Sequence, residues 1–240
     1  MQVTSIPPFK FKQFEIQQDQ CPMKVGTDGI LLGAWADVAD AKHVLDIGTG
    51  TGLIAIMLGQ RNELAKIDAV EIDECACSQA SANMQAAPWS DRLQAIPVAI
   101  QDFAQSAQQS YDLIVSNPPF FSGGTFSDKA DRNQVRHTVK LPHGDLLRAV
   151  QKLLAKDGKF ALILPLIEGL RFEELAQNYN LYCTKRTEVF PRADKNVERL
   201  LLQFEQQPKP IIKEQLIVQK GAIANDWTEA YQALTGMFYL

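Results

Sequence analysis

Four short runs of apolar or β-branched residues recur along the first half of the chain: His43–Gly48, Ala65–Glu71, Leu93–Ile100 and Tyr111–Ser116. Their apolar character is nearly continuous rather than alternating, which predicts strands of a parallel sheet buried on both faces. Stretches of helical length separate them, among them Gly52–Gln60 and Asp73–Ala86. Farther on, Leu146, Leu147, Val150, Leu153 and Leu154 have helical spacing and predict a helix over Pro142–Lys156, which Asp157-Gly158 is expected to end. KFALILP then predicts a strand and Glu168–Asn178 a helix. Tyr182–Phe190 and Glu198–Phe204, joined by the charged PRADKN loop, are close enough to pair antiparallel. The expectation is an α/β fold whose seven-stranded, mostly parallel sheet ends in an antiparallel strand pair.

Outside that core, Phe11, Phe14 and Ile16 suggest a small extended element, and Thr27-Asp28-Gly29 opens an apolar stretch of helical length. QQPKP marks a boundary after Phe204, because two prolines block continuation of a central strand. Ile211–Val218 alternates enough for a strand and Asp226–Leu234 resembles a short capped helix. We therefore expect a single domain with an N-terminal cap over 1–42, a core over 43–205 and a C-terminal appendage over 206–240.

Composition sets few further limits. With 240 residues, 46% hydrophobic and 22% charged, the chain reads as globular. Without a signal pattern or an apolar run of membrane length, a cytoplasmic location and no membrane partner are expected. The cysteines at 21, 75, 77 and 183 have no CxxC spacing and His43, His137 and His143 are scattered, so reduced thiols and no metal are expected. The net charge of −4 argues against a protein that coats nucleic acid by bulk electrostatics. Between Gln60 and Leu113 eight acids face three cations, a local −5, so the remainder carries +1. That asymmetry tilts slightly toward an anionic partner on the rest of the surface.

Chemistry enters with VLDIGTGTGL, which puts Asp46, Gly48, Gly50 and Gly52 between a buried strand and a helix, the setting of a nucleotide-binding loop. Glu71 closes the next strand, where a carboxylate can accept both ribose hydroxyls, and Asp102 follows the third strand, where it could accept from an adenine amine. A dinucleotide loop wants GxGxxG; here the third glycine comes one residue early, with Leu53 in its place. Asp46 would repel a pyrophosphate but suits a cationic sulfonium ligand bearing an ammonium group. DxGxGxG is similar to the loop of class I S-adenosylmethionine (AdoMet) methyltransferases.

The fourth strand ends in Asn117-Pro118-Pro119-Phe120. Two prolines fix φ twice and keep Asn117 and Pro118 out of the helical region, so the turn is stiff. The Asn117 amide oxygen and the Pro118 carbonyl can then accept from one planar amino group, returning electron density to its nitrogen, while Phe120 offers a stacking face for the base. The loop Phe121–Lys140 joins aromatics and a glycine pair to Lys129, Arg132, Arg136 and Lys140, and reads as a lid or RNA clamp. A second basic cluster, Lys185, Arg186, Arg192, Lys195 and Arg199, is balanced by Glu188, Asp194 and Glu198 and reads as a solvated hairpin.

Together DIGTGTG, VEID, QDF and NPPF resemble the amino-group N-methyltransferases. FKFKQFEI and KVGTDGILLGAWA narrow the resemblance to the bacterial tRNA1(Val) (adenine-37-N6)-methyltransferase family, from about Phe9 to Phe204 and including Arg136-His137. The resemblance implies a Rossmann-like class I fold, AdoMet as cofactor and the anticodon loop of a tRNA as partner, acted on by a monomer. It implies that Lys24, Thr27 and Asp28 lie near the methionine end of AdoMet, that Asp46, Gly48, Gly50 and Gly52 form its loop, and that Glu71 holds ribose and Asp102 adenine. Asn117, Pro118, Pro119 and Phe120 become the catalytic turn, with Asn117 also touching the cofactor and Phe121, Arg132 and Arg136 touching RNA. The NPPF chemistry also suits glutamine amides, guanine N2 and DNA adenine, but enzymes for those targets resemble larger chains with added domains. A NAD-dependent oxidoreductase is disfavoured by the loop spacing, and a noncatalytic RNA-binding protein by the acidic balance.

Overall fold

The computed structural model describes residues 6–119, 141–223 and 225–239. A hairpin of β1 (Phe9–Lys10) and β2 (Glu15–Ile16) precedes helix α1 (Thr27–Trp35). Strands and helices then alternate as β3 (His43–Ile47), α2 (Leu53–Arg61), β4 (Lys66–Glu71), α3 (Glu74–Ala86), β5 (Leu93–Pro97), α4 (Ile100–Ser106) and β6 (Tyr111–Ser116). Next come α5 (His143–Leu153), β7 (Leu154–Pro165), α6 (Leu166–Gln177), β8 (Tyr182–Arg192) and β9 (Arg199–Glu205). β10 (Ile212–Gln219) and α7 (Glu229–Thr235) follow.

The main sheet has the order β10-β8-β9-β7-β6-β3-β4-β5, and β9 alone runs against its neighbours. Successive residues of β3 and β6 send side chains to opposite faces. Val44 and Leu113 join an apolar layer with α1, α2 and α3, whereas Leu45, Ile47 and Ile114 join a second layer with α4, α5 and α6. This double coverage is why the central strands read as nearly continuous apolar runs.

The sheet has eight strands where seven are expected. Residues 212–219 add to the sheet rather than standing apart from it, pairing parallel with β8 from Ile212↔Lys185 to Gln219↔Arg192. Pro208 and Pro210 precede this strand without interrupting it, and it lies at the sheet edge with its first four residues exposed. The helix expected over Pro142–Lys156 stops at Leu153, and Gly158 lies inside β7 instead of capping it. A Cβ on Gly158 would approach the Tyr111 carbonyl oxygen to 2.8 Å, so close strand packing explains that glycine. The run expected over Leu93–Ile100 is strand only to Pro97, and its last residue opens α4.

Distant segments meet beside the first apolar layer. The Lys12 amide donates to the Phe238 carbonyl at 2.7 Å, and the Phe11 ring stacks on Phe14 (centroids 4.5 Å apart) and meets Tyr239 edge-on. That closure seats residues 17–26 over the carboxyl ends of the strands, where the Asn83 amide brackets Gln17 through both its backbone N–H and its carbonyl. Among the described residues no helix is long and apolar enough to cross a membrane.

Candidate active site

Strand order reverses at β3, which has β4 on one side and β6 on the other, and a crevice opens outside the carboxyl ends of these strands. The DIGTGTG segment forms its floor. Gly48, Gly50 and Gly52 have φ of 71°, 57° and 83°, a left-handed conformation that side chains resist. The Gly48 and Thr49 amides both donate to the Val70 carbonyl, which fixes the loop to β4. Glu71 finishes the clamp: its Oε2 accepts from the Gly50 amide at 2.9 Å and its Oε1 from the Asp73 amide at 3.0 Å. A carboxylate has about four acceptor positions, so these bonds leave it able to take hydroxyl donors as well.

Two cavities meet above this loop. The larger, of about 720 Å³, has Glu71, Ile72, Val98, Ile100 and Gln101 on its wall, with Asp19–Met23 across from them. The smaller, of about 440 Å³, is bounded by Lys24–Gly29, by Leu53 and Ile54 at the start of α2, and by Arg199. Met23, Gly48, Gly50, Asn117 and Pro119 line both. The NPP turn therefore stands at their junction, and Ser116 anchors it by donating from Oγ to the Ile47 carbonyl at 2.9 Å. Among the described residues, Asn117 Oδ1 is buried there without a hydrogen-bond partner. A buried acceptor left unpaired costs free energy, which a donor arriving in the cavity would recover.

The expected site residues divide into several groups. Lys24, Thr27, Asp28, Gly48, Gly50, Glu71, Asn117, Pro118 and Pro119 line one or both cavities. Asp46 does not; it is fully buried beneath the loop, where Oδ2 accepts from the Thr49 hydroxyl at 2.6 Å and Oδ1 has no hydrogen-bond partner among the described residues. Burial pushes its carboxyl up to about 7, helped by the charge of Glu71 and opposed by the Thr49 bond. Gly52 packs the loop on α3, and a Cβ there would come within 3.2 Å of Met84 Cε. Asp102 is exposed in the first turn of α4 and absent from the cavity wall, where its neighbour Gln101 stands instead. Phe120, Phe121, Arg132 and Arg136 lie outside the described residues.

Arg199 departs from the solvated-hairpin expectation. It lines the smaller cavity, and its Nε donates to both oxygens of Asp28 at 3.1 and 2.9 Å. These residues are 171 positions apart, so only the fold reveals the pair. Cys75 and Cys21 also reach the larger cavity, and burial pushes the Cys21 thiol up, away from the reactive thiolate. Among the described residues no group of three or more His, Cys, Asp or Glu could hold a metal ion.

Residues 25–164 match the methyltransferase small domain family. Proteins named tRNA1(Val) (adenine(37)-N6)-methyltransferase are similar over nearly the whole chain. That of Trichodesmium erythraeum is 44% identical, with 97% of each chain covered. Those of Pectobacterium carotovorum and Haemophilus influenzae are each 43% identical over 97% of this chain, covering 93% and 98% of theirs. Among solved structures, one described as a predicted O-methyltransferase from Agrobacterium tumefaciens superposes with a TM-score of 0.69 at 15% identity, covering 88% of this chain and 96% of that one. The CcbJ methyltransferase of Streptomyces caelestis gives 0.53 at 13% identity, with 76% and 96% covered. These two likenesses show the class I methyltransferase fold. On the match across residues 25–164 and the 43–44% identities, the chain belongs to the methyltransferase small domain family and, within it, to the tRNA1(Val) (adenine(37)-N6)-methyltransferases.

Proposed function

We propose that this protein uses AdoMet to methylate the N6 amino group of adenine 37 in the anticodon loop of tRNA1(Val), as the names of its relatives say of them. The observation that carries the chemistry is Asn117 Oδ1, buried where the two cavities join and without a hydrogen-bond partner among the described residues. An exocyclic adenine amine is a planar double donor and a weak nucleophile. Asn117 Oδ1 and the Pro118 carbonyl accept its two hydrogens, orient it and enrich its nitrogen in electron density.

The residues present fit AdoMet. The larger cavity has the volume of a small-molecule site, Glu71 can accept ribose hydroxyls, and Ile72, Val98 and Ile100 give an apolar seat for adenine. AdoMet supplies an electrophilic methyl group on a sulfonium. Phe120 stacks on the target base, while Phe121, Arg132 and Arg136 hold RNA phosphates and bases. An anticodon-loop adenine is already unpaired, which keeps the cost of presenting it small.

Incubating the protein with isotopically labelled AdoMet and tRNA, then digesting to nucleosides for mass spectrometry, tests both substrate and atom. Labelled N6-methyladenosine from position 37 is the expected product. Labelled N2-methylguanosine, or label in protein alone, would overturn the proposal.

A further inference from the structure

Helix α3 buries two side-chain amides four residues apart, Gln79 and Asn83, and neither lines a cavity. Asn83 joins two segments of the site. Its Oδ1 accepts from the Gln17 amide at 2.9 Å, and its Nδ2 donates to the Gln17 carbonyl at 2.9 Å and to the Thr51 carbonyl of the glycine loop at 2.8 Å. One turn earlier, Gln79 Oε1 accepts from the Gln20 amide at 3.2 Å and Nε2 donates to Asp19 Oδ1 at 2.6 Å. Among the described residues, residues 17–25 make no backbone-to-backbone hydrogen bond with another element. Yet Asp19–Met23 wall the larger cavity, and Met23 lines both. One wall of the crevice is therefore fastened to the body of the protein through two buried amides.

Resting on the AdoMet reading above, we propose that Gln79 and Asn83 are positioning residues for the cofactor: they hold residues 17–25 and the glycine loop at the separation it needs, and set its affinity without touching it. Asn83 has the larger effect, because a single group fixes both sides of the gap. Releasing the segment leaves the sheet and helices whole, since β2 ends at Ile16 and α1 begins at Thr27. The catalytic turn is anchored separately, by Ser116 on the Ile47 carbonyl. Loss of the amides therefore weakens cofactor binding and spares the chemical step once the site is filled.

Isothermal titration of the full-length protein with AdoMet and S-adenosylhomocysteine, set beside steady-state methylation of tRNA, tests this. Asn83→Ala is expected to weaken both ligands and raise KM for AdoMet by about tenfold, with kcat at saturating AdoMet retained. Gln79→Ala should do the same to a smaller extent, and hydrogen exchange should quicken at the Gln17 and Gln20 amides. A reversal of roles provides a second variant in which the segment is fastened again. Gln79→Glu sets a carboxylate against that of Asp19 and should weaken AdoMet; adding Asp19→Asn restores one donor and one acceptor and should recover the affinity. Unchanged AdoMet affinity in Asn83→Ala, a fall in kcat with KM unchanged, or no recovery in the double variant would each overturn the proposal. Failure of the unaltered protein to bind either ligand would overturn the AdoMet reading and this proposal with it.

Discussion

Glu71 reaches from the end of β4 to the Gly50 amide of the neighbouring loop at 2.9 Å, so one carboxylate both shapes the glycine turn and faces the larger cavity. Glu71→Ala removes both functions. AdoMet affinity is expected to fall by about 1.5–3 kcal/mol, the range for a hydrogen bond to a charged group. Calorimetric titration checks this, and unchanged affinity would remove Glu71 from the cofactor site.

Asn117→Ala is expected to leave AdoMet affinity nearly intact and to lower turnover roughly a hundredfold or more, since the missing acceptor acts on the substrate amine. Single-turnover methylation of tRNA, set beside the titration, separates the two effects. Parental turnover in the variant would assign the chemistry elsewhere.

Asp46 supplies a pH dependence. Its carboxyl, raised to about 7 in the fold, retains a proton that the unfolded chain releases near pH ~4. Stability from this group is full below that lower value, falls as pH rises toward about 7 and levels off above it, by on the order of 4 kcal/mol in all. Asp46→Asn keeps an acceptor for Thr49 and should flatten that slope. Urea unfolding at pH 5 and pH 8 measures it, and identical slopes in the two proteins would contradict the assignment.

Gly52→Ala places a Cβ at φ 83° and 3.2 Å from Met84 Cε. The left-handed backbone alone costs roughly 1–2 kcal/mol for an alanine. Denaturant titration is expected to show at least that loss, together with weaker AdoMet binding from a displaced loop. A variant as stable as the parent would mean that the loop adjusts freely.

Much of this arrangement was legible in the residues, for stated reasons. β3, β4 and β6 are covered on both faces, so their apolar runs stand out, and alternating glycines at 48, 50 and 52 coincide with three left-handed positions. β10 was legible as a strand but not as a member of the sheet, because an exposed edge strand carries no mark of its partner. Gly158 looked like a helix stop because a glycine needed for close strand packing has the same letter. Asp102 and Gln101 are adjacent in sequence, and only the setting of α4 decides which of them meets the cavity. The Asp28–Arg199 pair had no local signal at all.

The meeting of Phe11 and Lys12 with Phe238 and Tyr239 bears on how the molecule is made. A ribosome releases Phe9 and Phe11 more than two hundred residues before the tyrosine they pack against. The segment from Asp19 to Asp28, which lines parts of both cavities, follows directly on the hairpin that this late contact closes. Throughout synthesis the nascent chain thus carries an aromatic cluster without its cover, a hazard for aggregation that favours protection by chaperones.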